Sequence, residues 1–122
     1  MTRGLILFAH GARDPRWSEP FEAIAAAIRR QAPDVDVRLA FLELMAPDLP
    51  TLADAMVRDG VQRIDILPLF LGTGGHLRRD LPPLVNAIAA RHPSVPVALH
   101  PAAGEAPRLI AAMAEHAVSL TQ

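Results

Sequence analysis

The sequence predicts an open α/β fold, a parallel four-stranded sheet wound with helices on both faces. Three observations predict it: short apolar runs recur along the chain, each is followed by a segment with helical apolar spacing, and Gly, Pro and Asp punctuate the boundaries. Strands that alternate with helices of about 10 to 15 residues pair in parallel through right-handed crossovers.

Gly4 to Ala9 is the first strand, an apolar run of strand length. Asp14-Pro15 then starts a helix, with Asp14 as N-cap and Pro15 at its first position. Phe21, Ile24, Ala25 and Ile28 follow at i, i+3, i+4, i+7, and Pro33 ends the helix. Val35 to Leu42 is the second strand, alternating early and wholly apolar late. Asp48 caps a helix bearing Leu49, Leu52, Ala53 and Met56 on one face, stopped at Gly60. Ile64 to Leu71 is the third strand, and Leu81, Leu84, Val85 and Ile88 mark its helix, which ends at His92-Pro93. Val95 to His100 is the fourth strand. It leads to a helix opened by Pro107 and carrying Leu109, Ala112, Met113 and Leu120. The expected arrangement is flavodoxin-like, order 2-1-3-4, with its switch point between the first and third strands.

A chain of 122 residues is expected to form one domain, residues 1–122, that buries its core without disulfides or a structural metal. No apolar run approaches the roughly 18 to 20 residues of a membrane span, and no secretory signal is visible at the start, so a cytoplasmic protein without membrane contact is expected. The absence of cysteine fits a reducing compartment and excludes thiolate metal sites, cysteine nucleophiles and iron–sulfur clusters. Twelve basic against 13 acidic side chains make no field for nucleic acid, and one Trp and four Phe offer little base stacking.

The chemistry concentrates where strands end. Ligands of open α/β sheets bind beyond the carboxyl ends of the strands, and three strand ends deliver His10, Glu43 and, after Gly72-Thr73-Gly74-Gly75, His76. Two imidazoles and a carboxylate suit a divalent first-row metal at an open site, and they also move protons near neutral pH. Arg13, Arg16, Arg78 and Arg79 flank the two histidines; with the glycine N–H groups they suggest an anionic substrate. Leu44, Met45, Leu69, Phe70 and Leu71 are candidates for the apolar wall of the crevice, or for the core. His100 closes an edge strand, His92 sits at a helix end where a cation suits the dipole, and His116 lies on the last helix's apolar stripe as core or oligomer contact. The pattern H-x-x-R-D occurs at His10–Asp14 and again at His76–Asp80, either by coincidence or as the trace of a duplicated β-α-β-α unit.

Three motifs in this order, Phe8-Ala9-His10-Gly11-Ala12-Arg13-Asp14-Pro15, Phe41-Leu42-Glu43, and Leu67 to His76 followed by Asp80-Leu81-Pro82, resemble the sirohydrochlorin chelatases, specifically the CbiX-like group of class II tetrapyrrole chelatases. The resemblance implies insertion of a divalent metal, Co2+ or Fe2+, into sirohydrochlorin without ATP, towards cobalamin or sirohaem. The metal is the substrate and no organic cofactor is implied; nickel accepts the same ligands. His10 and His76 are carried over as metal ligands and proton acceptors, with Glu43 completing the site or relaying protons. For the short, single-copy form the resemblance implies a homodimer that completes its cleft between subunits, and the histidine-rich segment of some relatives is missing here. The residues suit the anionic, apolar substrate: Arg13, Arg78 and Gly72 to Gly75 for carboxylates, Leu44 and Met45 for the ring.

Other enzyme classes fit less well. Histidine phosphatases place an arginine directly before the histidine, where Ala9 stands here; G-x-S-x-G and G-x-G-x-x-G are absent. A metal or tetrapyrrole carrier remains the alternative, since it would use the same histidines without turnover.

Overall fold

A computed structural model describes residues 2–122. Its sheet is all-parallel with the expected order: β1 (Arg3–Ala9) lies between β2 (Val35–Phe41) and β3 (Arg63–Pro68), and β4 (Val97–Leu99) forms the edge beside β3. The helices are α1 (Glu19–Gln31), α2 (Leu49–Arg58), α3 (Gly75–Arg91) and α4 (Pro107–Ser119).

Right-handed crossovers decide which helix covers which face. The chain steps one way from β1 to β2 and the other way from β2 to β3 and β4, so α1 lies on one face while α2 and α3 share the opposite one. The cores record this. Ile6, Phe8, Ile64 and Ile66 pack with Leu49, Leu52 and Met56 of α2 and Leu81, Val85 and Ile88 of α3, whereas Leu7, Ala9, Val37, Leu39 and Phe41 pack with Ala25, Phe21 and Ile28 of α1. Alternate residues of β1 are thus buried on both sides, as an interior parallel strand requires.

Several boundaries differ from the sequence reading. Asp14 does cap, accepting from the backbone N–H of Arg16 at 2.9 Å, but Pro15 opens a 3-10 turn (Pro15–Ser18) before α1 begins. Ile24 is exposed at the margin of the α1 stripe. The second strand stops one residue short, at Phe41, and the fourth is trimmed to Val97–Leu99 because Pro96 has no N–H for the ladder. The third strand ends at Pro68 rather than Leu71: Leu69 still donates to the carbonyl of Phe8 at 2.8 Å, but Phe70 is buried as a plug, its ring edge-on to Phe8 at 5.9 Å. Conversely α3 starts early, with Gly74 as N-cap, so His76 stands in its first turn and not ahead of it.

The largest difference is α4. The sequence places its stripe, with His116, in the core or at an oligomer contact; within the chain the helix buries no residue, Leu109, Ile110, Met113 and Leu120 are 37 to 74% exposed, and His116 is exposed with them.

The cap of α2 supplies a stability prediction. Asp48 accepts from the backbone N–H of Thr51 at 2.8 Å, and this hydrogen bonding holds its carboxyl below the ordinary aspartate range. A depressed folded-state pKa gives stability that is present above the unfolded value and lost as pH falls through the folded one. Asp48→Ala is expected to cost about 1 kcal/mol near neutral pH. In urea unfolding the gap between the two proteins should close progressively below about pH 4.

Candidate functional site

At the carboxyl edge of the sheet two loops are tied together backbone to backbone. Leu42 N–H donates to the carbonyl of Ala9 at 2.9 Å, and Glu43 N–H to that of His10 at 3.0 Å, continuing the β1–β2 pairing past the strand ends. Gly11 makes this approach possible. Its φ of +98° is a left-handed conformation, and an added Cβ would collide with the carbonyl group of Glu43. The result brings two side chains together across 33 residues of sequence: His10 Nε2 lies 3.0 Å from Glu43 Oε1. Both side chains are about half exposed, 52% and 55%, so the pair is open to a ligand.

Beyond Glu43 the loop turns back sharply. Met45 N–H donates to the carbonyl of Glu43 at 2.8 Å across Leu44, which is held at a φ of +65°. A branched side chain in the left-handed region is strained, and such strain concentrates at functional loops. The turn separates two neighbours. Leu44 projects into solvent beside the crevice, while Met45 packs under α1 as core.

The third strand end arrives from the other side. Phe70, Gly72, Gly74, His76, Leu77 and Asp80 line a cavity of about 470 Å³ together with His10 and Leu42. His10 and His76 therefore face one space, as the strand order implies. His76 belongs to the first turn of α3, whose outward N–H groups and dipole favour a negative group there. Among the described residues, no three of His, Asp and Glu converge closely enough to hold an ion by themselves. The directly paired groups are His10 and Glu43, and His76 stands across the cavity from them.

The remaining candidates divide. Gly72 and Gly74 line the cavity, and Gly75 opens α3. Arg13 stands exposed two residues beyond Gly11, and Arg16 is occupied by Asp14 at 3.1 Å. Thr73 and Arg78 face a neighbouring concavity of about 120 Å³, where the Arg78 guanidinium donates to the Thr73 carbonyl at 3.1 Å and to Glu105 at 3.2 Å. Arg79 reaches back to the carbonyl of Gly75 at 3.3 Å. The sequence marks Asp80 only as part of a motif. It enters the cavity because it lies four residues after His76 on one helix face, a signal that becomes visible once α3 is known to start at Gly75.

Two other histidines are held structurally. His92 Nε2 lies 2.7 Å from Asp54 and, with Arg91, ties the end of α3 to α2. His100 Nε2 lies 2.8 Å from Asp65. Burial works to raise the Asp65 carboxyl, but hydrogen bonds from His100 and Arg63 outweigh it and hold the group below its ordinary value.

The CbiX family model matches residues 4–120. A crystal structure from Marinobacter aquaeolei, of a protein assigned as CbiX of cobalamin (vitamin B12) biosynthesis, superposes with a TM-score of 0.83 at 32% identity, over 98% of this chain and 97% of that one. A sirohydrochlorin cobaltochelatase of Methanothermobacter thermautotrophicus is 32% identical over 83 residues, 68% of this chain and 57% of the relative. The sirohydrochlorin ferrochelatase of Bacillus subtilis is 28% identical over 95 residues, 78% of this chain and 36% of the relative. The matched regions thus span less than two thirds of these chelatases.

Proposed function

Because the chain belongs to the CbiX family, we propose that it is a sirohydrochlorin chelatase, inserting Co2+ or Fe2+ into the macrocycle without ATP on the way to cobalamin or sirohaem. One observation carries the reading: His10, paired with Glu43 at 3.0 Å, lines the same cavity as His76, and both histidines are accessible. Metal insertion asks for little more. The macrocycle must release two pyrrole N–H protons while the ion exchanges water for ring nitrogens. His10 takes one proton from the ring, with Glu43 fixing the imidazole and accepting its Nε2 proton in turn. His76 takes the other from across the cavity. The same imidazoles meet the incoming metal and release it easily, because fewer than a full set of protein ligands surrounds it.

The walls suit the macrocycle. Leu42, Phe70 and Leu77 offer apolar surface to a flat ring, and exposed Leu44 extends it. The ring's carboxylates find the N–H groups of Gly72 in the loop after β3 and of Gly74 and Gly75 at the start of α3, and Arg13, exposed in the loop after β1, supplies a cation. A tetrapyrrole is broader than a cavity of about 470 Å³, so a second copy of this one-domain chain covers the other face of the ring in a homodimer. Cobalt, iron and nickel all accept these ligands, so supply sets the metal. Among the described residues no helix is long and apolar enough to cross a membrane, and we place the reaction in the cytoplasm.

Anaerobic absorbance of sirohydrochlorin with Co2+, and separately with Fe2+, tests the proposal. The protein is expected to speed conversion to the metallated spectrum over the spontaneous rate. Binding of sirohydrochlorin with no acceleration by either metal would replace the chelatase with a carrier.

A further inference from the structure

One charged side chain of the cavity has no task in the scheme above. Asp80 is exposed, stands one turn of α3 beyond His76, and lines the same space as His10 and His76. Among the described residues its carboxylate makes no ion pair and no hydrogen bond. Its own helix offers it no permanent cation, because the positions three and four residues away are His76, Leu77, Pro83 and Leu84.

The two nearest arginines in sequence are committed elsewhere. Arg79 donates to the carbonyl of Gly75 at 3.3 Å, and Arg78 donates to the carbonyl of Thr73 at 3.1 Å and to Glu105 at 3.2 Å. Glu105 closes the turn Ala103–Glu105, in which Gly104 N–H donates to the carbonyl of Phe70 at 2.8 Å and a Cβ on Gly104 would strike the backbone of Leu71. Arg78 and Glu105 are thereby held together in the neighbouring concavity, outside the one that Asp80 lines. The other carboxylate of the site, Glu43, is taken up by His10 at 3.0 Å.

Asp80 therefore turns an unneutralised negative charge to the cavity. That charge repels the carboxylates of a macrocycle and attracts a divalent cation, twice as strongly as a monovalent one at the same distance. A carboxylate oxygen can hold a hydrated first-row ion by replacing one of its waters. Since no three of His, Asp and Glu converge among the described residues, an ion met by Asp80 is free to move on.

We propose that Asp80 recruits the metal: it draws the hydrated divalent cation into the cavity and passes it to His76, one turn back along α3, while its charge keeps the carboxylates of the macrocycle at the glycine N–H groups. The destination of the ion rests on the chelatase reading; its capture rests on the cavity alone.

Calorimetric titration of the protein with Co2+, without sirohydrochlorin, tests the capture. Asp80→Asn is expected to weaken Co2+ binding about tenfold, and Asp80→Glu, which keeps the charge, to stay within about threefold of wild type. Asp34→Asn removes one exposed carboxylate from the turn ahead of β2, at the opposite edge of the sheet, and should leave Co2+ binding unchanged. Sirohydrochlorin without metal, followed by absorbance, should bind Asp80→Asn at least as tightly as wild type, whereas a side chain that merely held the cavity in shape would weaken both ligands. In the insertion assay the KM for Co2+ should rise about tenfold in Asp80→Asn while the KM for sirohydrochlorin does not. Co2+ affinity equal in Asp80→Asn and wild type, or undetectable in both, would overturn recruitment, as would a parallel loss of sirohydrochlorin binding. The titration judges Asp80 whether or not the protein speeds insertion, so a failed rate assay counts against the chelatase reading alone.

Discussion

Gly11→Ala is expected to lower the melting temperature by roughly 10 °C, corresponding to about 2–4 kcal/mol in a domain of this size. Two costs combine. The φ of +98° is unfavourable for any residue with a Cβ, and that Cβ would meet the Glu43 carbonyl, backbone that has no flexible end to swing aside. To relieve it, the loop after β1 must part from the loop after β2, which separates His10 from Glu43. Gly72→Ala is the matched control, because an added Cβ there meets nothing within 4 Å. It should leave thermal unfolding within about 1 °C of wild type. Melting followed by circular dichroism decides the matter, and equal melting temperatures for the two variants would refute the collision.

His10→Ala is expected to lower the protein-dependent rate of metal insertion by about 10²- to 10⁴-fold, the range for loss of a positioned proton acceptor. Glu43→Gln should cost less, about 10- to 100-fold, since the amide keeps the size of the side chain but cannot take the proton. Melting temperature should not move, because both side chains are half exposed. The double variant separates a working pair from two neighbours. If Glu43 acts through His10, the double variant will be no slower than His10→Ala alone; multiplied losses would show that the two act independently.

The fold was legible where the chain had little freedom. Apolar runs such as Gly4 to Ala9 admit one reading when each is followed by helical spacing, and the strand order then put His10 and His76 at one crevice. Boundaries were less legible, for identifiable reasons. Phe70 continues the apolar run of β3 but is buried by stacking edge-on to Phe8, a tertiary contact that composition cannot distinguish from strand burial. Gly74 and Gly75 read as loop, so the first turn of α3 was missed, and with it the shared helix face of His76 and Asp80. Nothing in the sequence marks Leu44 as left-handed, because leucine carries no preference for that region. That turn is what sends Leu44 outward and Met45 into the core, where both read as wall of the crevice. The last helix shows a limit of periodicity itself. A stripe such as Leu109, Met113 and Leu120 says that a face must be buried, and is silent on which chain buries it.

The short turn from Ala103 to Glu105 leads into α4, yet its middle residue is wedged against Leu71, on the segment that runs on to His76. Any side chain at Gly104 would therefore push the turn away from the backbone that runs on to His76, so the spacing between these two segments is set by the absence of a Cβ.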